Sequence, residues 1–218
     1  MSTSLNLADA PTRSDLAVFA ARAARLDDSA IRLVVIGRVL AVSAPVLYPR
    51  GIMDRSPTIL GMRTFALAEA ADVDVVVTPQ EILDRLARLA SAEGEELRMP
   101  LPPSSKAVSW AGQSAPRGGW VQVGELDTVA LETVAKEGAA EIAAALPEAA
   151  GDHIVQKVRS TVWSQPLAGG HGLPAGAAFA AVGLGFLGAP ESARVFASGA
   201  WSRLTTDRGH VLAKTVTG

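Results

Sequence analysis

Apolar and polar residues along the N-terminal part of the chain are spaced in ways that predict helices and strands. Apolar side chains recur at helical spacing after Ser14, a candidate N-cap, while Arg22 and Arg25 face away from them. This pattern indicates an amphipathic helix that ends near Asp27. Over residues 31–47 the composition changes to long runs of Val, Ile, Leu and Ala broken by a glycine, which predicts two strands joined by a tight turn.

Two more strands and a second helix follow in the same part of the chain. The extended apolar runs are Thr58 to Ala68 and Val73 to Val77. Directly after them, Thr78, Pro79 and Glu81 have the spacing of a capping box, in which a hydroxyl and a carboxylate bond to amide groups that the start of a helix leaves unpaired. The sequence therefore predicts a helix that begins at Pro79.

The pattern as a whole predicts an α+β protein with two lobes. Residues 1–99 are predicted to form a mostly antiparallel sheet covered by helices. Residues 100–119 are rich in Pro, Ser and Gly and keep no period, which indicates a linker. Residues 120–218 are predicted to form a helical lobe that ends in a β-hairpin, with helical stripes over about 131–146 and 152–164.

The stretch Leu173 to Leu212 has two incompatible interpretations. In the first, Gly183, Gly185 and Gly188 form the G-x-G-x-x-G turn of a dinucleotide-binding fold, with a strand before it and a helix after it. Asp207 follows the first glycine by 207 − 183 = 24 residues, close to the usual spacing of the ribose-binding carboxylate. Locally, GLGFLGAPESAR is similar to the phosphate turn of nicotinamide-dependent hydroxyacid dehydrogenases.

In the second interpretation this stretch binds no ligand. A helix begins at Pro174 and ends at a left-handed Gly188, and residues 207–209 are a three-residue hairpin loop with a left-handed glycine. The loop joins strands over 195–205 and 211–216. We favour this interpretation because only 11 residues follow Asp207, too few for the further strands and crossovers of a dinucleotide fold.

Composition and charge exclude several classes of protein. The chain has 218 residues, of which 49% are hydrophobic, so it can bury a core. Its formal charge of −2 gives no positive excess with which to hold a phosphate backbone, so we expect no nucleic acid partner. The absence of cysteine excludes disulfides, thiolate nucleophiles and cysteine-ligated metals. The longest weakly apolar window, residues 175–189, is too short to span a membrane, which predicts a cytoplasmic protein.

Few residues have the pattern of a chemical site. His153, His171 and His210 stand far apart and lack the spacing of metal ligands, so the sequence predicts no metal site. His171 lies in a glycine-rich loop that can present an imidazole for acid–base chemistry, but a solvated loop histidine is the favoured interpretation. The loop from Arg50 to Arg55 holds Asp54 between basic residues and can bind an anion, although a solvated turn is again favoured.

The second lobe resembles a winged helix in outline, but the residues that such a module uses to read DNA are missing. The helix predicted over 175–187 has no charged or amide side chain. Such a helix suits packing against protein, as do Trp110 and Trp120, which we expect to be exposed. We therefore predict a non-enzymatic cytoplasmic protein without cofactor that acts through protein–protein contacts or self-association. The alternative is a nicotinamide-dinucleotide-binding oxidoreductase that uses the GLGFLG turn.

Several short segments resemble a family of uncharacterised actinobacterial proteins. The segments are Ser14-Asp15-Leu16, Arg25-Leu26-Asp27, Asp72-Val73-Asp74-Val75, Gly119-Trp120, Gly185-Phe186-Leu187-Gly188 and Gly199-Ala200-Trp201-Ser202-Arg203-Leu204. The resemblance covers most of the chain and implies no activity.

Overall fold

The chain divides into two compact units that are not simple halves of the sequence. The computed structural model describes residues 4–91, 97–103, 107–147, 149–188 and 191–215. Unit 1 consists of Met1–Pro45 and Met62–Gly112, and unit 2 consists of Val46–Gly61 and Gln113–Gly218. The sequence predicts one break, between residues 99 and 120. The structure instead has a segment near residue 50 that belongs with the C-terminal residues.

Unit 1 is a sheet with two helices and a small additional strand pair. Its elements are β1 (Ser4–Asn6), α1 (Ala10–Leu26), β2 (Ile31–Ile36), β3 (Val39–Leu47), β4 (Thr58–Ala66), β5 (Asp74–Val77), α2 (Pro79–Ser91) and β6 (Arg98–Pro100). The last residues of β3 and the first residues of β4 belong to unit 2. The strands lie in the order β5-β2-β3-β4, β1 pairs with β6, and the pairs β1–β6, β2–β3 and β2–β5 are antiparallel.

Local signals set the ends of both helices in unit 1. Helix α2 begins as predicted, because the Glu81 amide donates to Thr78 Oγ1 at 3.2 Å and the Thr78 amide donates to Glu81 Oε2 at 2.8 Å. Helix α1 begins earlier than predicted. Its N-cap is Asp9, whose carboxylate accepts from the Thr12 amide at 2.7 Å, and not Ser14.

The predicted linker contains a buried anchor of unit 1. Trp110 lies in a short 3-10 helix, Ser109–Gly112, and only 1% of its surface is exposed, so the expectation of an exposed tryptophan is wrong. Arg32 on β2 holds this helix through a 2.7 Å hydrogen bond from Nη1 to the carbonyl of Ala111, while its Nη2 lies 2.7 Å from Asp74 Oδ2. The tryptophan is buried because its ring fills the core of unit 1.

Unit 2 combines three helices with a larger sheet than a single hairpin. Its elements are β7 (Val121–Asp127), α3 (Thr128–Ala145), α4 (Asp152–Trp163), α5 (Gly176–Gly183), β8 (Ser192–Ser198), β9 (Trp201–Thr206) and β10 (Gly209–Lys214). The order is β10-β9-β8-β7, and each pair from β7 to β10 is antiparallel. The single strand predicted over 195–205 is two strands, because the chain turns at Gly199, where φ is 56°.

Small residues let the helices of unit 2 approach closely. Trp163 of α4 stacks on Phe179 of α5 with ring centroids 4.6 Å apart. A β-carbon added at Gly138 of α3 would overlap the Trp163 ring, and one added at Gly176 of α5 would lie 2.6 Å from Ile59 Cδ1. These glycines are therefore required by packing rather than by backbone conformation.

The GLGFLG segment is the end of a helix. Helix α5 stops at Gly183, and Gly185 adopts a left-handed φ of 70° with its amide donating to the Val182 carbonyl at 3.0 Å. The helix is thus shorter than predicted, and the left-handed residue is Gly185 instead of Gly188. Phe186 then turns into the core, where it is 1% exposed.

The C-terminal hairpin forms, but its loop differs from the prediction. Gly209 is the first residue of β10 and pairs with Thr206, so the turn has two residues and Gly209 is not left-handed. A β-carbon at Gly209 would lie 2.5 Å from the Phe186 ring. The glycine is therefore needed to make room for that phenylalanine.

Candidate functional site

A pocket of about 670 Å³ opens in unit 2 between the loop of residues 48–57 and one face of α4. Its volume lies within the range of ligand-binding sites in proteins. The lining residues of the loop side are Leu47, Tyr48, Arg50, Gly51, Ile52, Met53, Asp54 and Ser56, and those of the helix side are Asp152, His153, Gln156, Lys157, Ser160 and Thr161. We call this cavity the loop–α4 pocket.

Asp54 fixes the shape of the loop. Its Oδ2 accepts a 2.9 Å hydrogen bond from the Arg50 amide, and its Oδ1 accepts from the amide of Ser56 at 2.9 Å and from the Ser56 hydroxyl at 2.5 Å. The Asp54 amide also donates to the carbonyl of Gly51 at 3.1 Å, which closes a tight turn. Burial alone raises the pKa of Asp54, but the hydrogen bonds from Ser56 and Arg50 outweigh it and lower that pKa below its ordinary value.

The helix side of the pocket follows from helical spacing. The six lining residues of α4 occur as adjacent pairs four residues apart, so they share one face of the helix. The Ser56 hydroxyl lies 2.5 Å from the Ser160 hydroxyl and joins the base of the loop to this face. The loop and the helix are thus connected at the base of the pocket.

Two large apolar side chains at the loop tip have no packing role within the chain. Ile52 is 103% exposed and Met53 is 91% exposed, whereas Leu47 at the start of the loop is buried. Arg50 lies over the Tyr48 ring at 4.8 Å. A fully exposed pair of this kind beside a pocket is typical of a surface that another molecule covers.

The carboxylates of the pocket are stabilised by neighbouring groups, whereas its lysine has no ion-pair partner among the described residues. The Asp54 carboxylate is already bonded within the loop, and Asp152 occupies the first turn of α4, where the helix dipole stabilises a negative charge. Lys157 is exposed and forms no ion pair within the described ranges. The pocket therefore offers apolar contacts together with a cation that is available to a ligand.

The predicted dinucleotide residues do not form the geometry that a dinucleotide needs. Gly183 ends α5, Gly185 and Gly188 follow it, and the next element is a strand that begins at Ser192. A dinucleotide turn has a strand before it and a helix after it, which is the reverse of this order. Asp207 lies in the turn between β9 and β10.

The space beside Gly188 is also taken by protein. The Arg208 guanidinium packs there, 3.2 Å from where a β-carbon would be, and its Nη1 donates to the Leu187 carbonyl at 3.4 Å. The geometry therefore gives no support to the oxidoreductase hypothesis.

The three histidines lie in different surroundings. His153 lines the loop–α4 pocket, His171 has a left-handed φ of 48° with its ring against Gly124, and His210 is half-buried on β10. Within the described ranges, no three His, Asp or Glu side chains are grouped so that they can hold a metal ion. In the same part of the chain, no helix is both long and apolar enough to cross a membrane.

The sequence predicts the Arg50–Arg55 loop, but its pattern favours a solvated turn. The missed signal is the pair Ile52-Met53, two large apolar residues at the tip of a short polar loop. The other wall of the pocket comes from α4, about a hundred residues later, and no local pattern links the two segments.

Comparison with known families divides the chain close to residue 113. Residues 1–112 match the family described as Domain of unknown function (DUF8010). The chain belongs to this family. Residues 115–218 match a second family, Domain of unknown function (DUF8185). No curated protein matches the sequence.

The fold is that of DNA polymerase sliding clamps. DNA polymerase III subunit beta from Pseudomonas aeruginosa matches with a TM-score of 0.51 and 12% identity, and the comparison covers 100% of this chain and 65% of the clamp. The Borrelia burgdorferi subunit matches with a TM-score of 0.54 and 9% identity, and the comparison covers 100% of this chain and 65% of that subunit. The Caulobacter crescentus clamp matches with a TM-score of 0.52 and 13% identity, over 100% of this chain and 66% of the clamp. The chain thus spans about two thirds of the length of these proteins.

This similarity corrects the expectation about partners. We excluded nucleic acid because of the net charge of −2, yet proteins with this fold are DNA polymerase clamps, so the exclusion is wrong. Net charge is a sum over the whole surface and does not report the charge of any one face. The clamp fold also differs from the dinucleotide-binding fold that the oxidoreductase alternative requires.

Proposed function

We propose that this protein is a clamp-fold binding module that holds a short segment of a partner protein in the loop–α4 pocket. The observation that carries the proposal is the fully exposed pair Ile52 and Met53 at the rim of a pocket of about 670 Å³. Burial of exposed Met and Ile side chains against a partner is favourable because it removes apolar surface from water, and Met adapts its shape to different partners. Self-association, a cytoplasmic location and an actinobacterial origin stay predictions.

The chemistry of the pocket defines the segment that fits it. Apolar contacts are available at Leu47, Tyr48, Ile52 and Met53, and an apolar side chain of the partner can pack there. Lys157 is exposed beside this surface and lacks an ion pair with any described residue, so a carboxylate of the partner can bind it. We therefore expect a peptide with an apolar anchor and a nearby Asp, Glu or C-terminal carboxylate.

Two similar clamps support ligand binding by proteins of this fold. The Borrelia burgdorferi subunit was solved in complex with a natural product, and the Bartonella birtlesii clamp was solved bound to griselimycin. These ligands show that the clamp fold accommodates molecules other than nucleic acid.

The test is selection of binding peptides from a random phage-displayed library on the immobilised full-length chain. We expect the selected peptides to share an apolar residue next to an acidic one. The double variant Ile52→Ser, Met53→Ser should weaken their binding by about tenfold or more, because it removes the apolar rim. It should leave the free energy of unfolding within about 0.5 kcal/mol of the parent, since neither side chain is packed.

The matched control is Val129→Ser on α3, which is 49% exposed and lies outside the pocket. It should not change peptide binding. Lys157→Glu should remove the preference for acidic peptides while keeping the apolar one. Peptides that bind the double variant as tightly as the parent, or a library that yields no binder, would contradict the proposal. Selection of a segment of this chain itself would identify a second copy as the partner.

A further inference from the structure

A second surface of unit 2, distant in sequence from the pocket loop, gathers cationic side chains on one face of the sheet. Strand register places Arg194 of β8 opposite Thr205 of β9, and Thr205 opposite His210 of β10. Two residues further along β8, Phe196 lies opposite Arg203 of β9. Because side chains alternate between the two faces of a strand, all five point to the same side. We call Arg194, Arg203 and His210 the arginine face.

Arg203 is held rigidly at the centre of this face. Its guanidinium carbon lies 4.5 Å from the Trp120 ring centroid and 4.6 Å from the Phe196 ring centroid, so the group packs against both aromatic rings. Its Nε is buried and has no hydrogen-bond partner among the described residues. Burial, followed by the charge of Arg194, lowers the pKa of Arg203 below its ordinary value.

No carboxylate in the described ranges forms an ion pair with a residue of the arginine face. The nearest candidate, Glu125 of β7, lies opposite Arg194 in register, but it forms no ion pair with it. The Glu125 oxygens accept instead from Ser192 Oγ at 2.6 Å and from Gln122 Nε2 at 3.1 Å. The two guanidinium groups therefore repel each other, and neither forms an ion pair with a described carboxylate.

The positive charges of Arg203 and Arg194 also act on His210, the third residue of the arginine face. Its Nδ1 lies 3.0 Å from the hydroxyl of Thr205. Burial, and then the charges of Arg203 and Arg194, lower the pKa of His210 below its ordinary value. An anion bound between these groups would cancel the repulsion and raise that pKa.

We propose that the arginine face binds a phosphate-type oxyanion, with Arg203 as the preorganised fork and Arg194 and His210 as flanking donors. A guanidinium that is packed against two aromatic rings loses little freedom on binding, and its planar set of donors matches the oxygens of a phosphate group. Two sources offer this chemistry, a free phosphate compound and the phosphodiester backbone of nucleic acid. The proposal is independent of the peptide segment proposed for the loop–α4 pocket, because none of these residues lines that pocket.

The experiment follows the imidazole signal of His210 by NMR in the full chain while a probe is added. One arm uses inorganic pyrophosphate and the other uses a short single-stranded DNA oligonucleotide. We expect saturable shifts of the His210 signal and a rise in its pKa with at least one probe. Binding of pyrophosphate alone identifies a free phosphate compound as the ligand, and tighter binding of the oligonucleotide identifies the phosphodiester backbone. The signal of His171, which does not line the loop–α4 pocket, serves as the internal control and should not move.

Substitutions distinguish specific binding at the arginine face from nonspecific attraction by positive charge. Arg203→Gln should abolish the shift, and Arg194→Gln, on an exposed side chain that does not support the fold, should weaken affinity by about tenfold. Arg208→Gln removes an equal charge from the adjacent turn and should leave affinity unchanged. Absence of a His210 shift with both probes would overturn the proposal. So would an equal loss of affinity in Arg208→Gln and Arg194→Gln, which would indicate nonspecific attraction.

Discussion

At the scale of single residues, Asp54 determines whether the loop of the pocket keeps its shape. Its carboxylate accepts three hydrogen bonds from Arg50 and Ser56. We predict that Asp54→Ala lowers the free energy of unfolding by about 1–2 kcal/mol, the usual cost of losing hydrogen bonds to a charged group. We also expect weaker binding of pocket peptides, because the loop tip is no longer fixed. Denaturant titration and peptide binding measure the two effects.

The same residue gives a dependence on pH whose sign follows from its lowered pKa. The folded state holds the Asp54 proton less tightly than the unfolded chain, so its contribution to stability is complete above the ordinary value of about 4 and is lost as the pH falls through the folded pKa. Asp54→Ala should therefore lose less stability than the parent below about pH 4. The control is Asp28→Ala, at an exposed aspartate whose side chain has no hydrogen bond to any described residue, and it should keep the parent profile. An unchanged profile in Asp54→Ala would contradict this assignment.

At the scale of elements, packing of α3 against α4 depends on the missing side chain of Gly138. A β-carbon there overlaps the Trp163 ring, which is itself stacked on Phe179. We predict that Gly138→Ala costs about 1–2 kcal/mol, because overpacking outweighs the gain in helix propensity. Gly118→Ala is the matched control, since nothing lies within 4 Å of its added carbon. Equal stability of the two variants, measured by denaturant unfolding, would show that the Trp163 ring moves aside without cost.

Elements whose cause is local were predicted well from the sequence. The start of α2 follows from the hydroxyl of Thr78 and the carboxylate of Glu81, and the turn between β2 and β3 follows from Gly37, where φ is 62°. In each case the groups that define the element are within a few residues of one another. The predicted position of each element therefore agrees with the structure, although the prediction uses only neighbouring residues.

Elements whose cause is distant were predicted poorly. Gly209 suggested a left-handed loop, but it is a glycine because the Phe186 ring occupies the place of its side chain. The sequence pattern also predicts that Phe186 lies within a helix, but that helix ends earlier, at Gly183. The strand β7 was missed because its side chains are mostly exposed and give no apolar signal. In the candidate site, Ser56 and Ser160 are 104 residues apart, so no window of sequence contains both walls of the pocket.

At the scale of the whole molecule, the C-terminal family match does not contain a complete core. That match begins at residue 115, but unit 2 includes residues 46–61. A β-carbon at Gly61 would overlap Leu184, which shows how closely this segment packs on the end of α5. We predict that a fragment of residues 113–218 lacks a cooperative unfolding transition, whereas the full chain has one. Circular dichroism melting and binding of a hydrophobic dye measure the difference.

The control for this fragment restores the missing piece. A synthetic peptide of residues 46–61, added in excess, should recover part of the transition, while the same peptide with Ile59→Asp should not, since Ile59 is fully buried in unit 2. A fragment of residues 113–218 that unfolds cooperatively without the peptide, and as stably as unit 2 does in the full chain, would contradict the prediction.

The division of unit 2 between two distant parts of the chain also determines when it is completed during synthesis. The ribosome makes residues 46–61 between the two parts of unit 1 and reaches α5 only much later. At about 5–20 residues per second, the interval between Gly61 and Leu184 lasts on the order of ten seconds. Throughout it, Ile59, which is fully buried in the finished protein, has not yet met α5, which packs against it. A nascent chain that pauses in this interval therefore presents an apolar segment to chaperones and proteases until translation resumes.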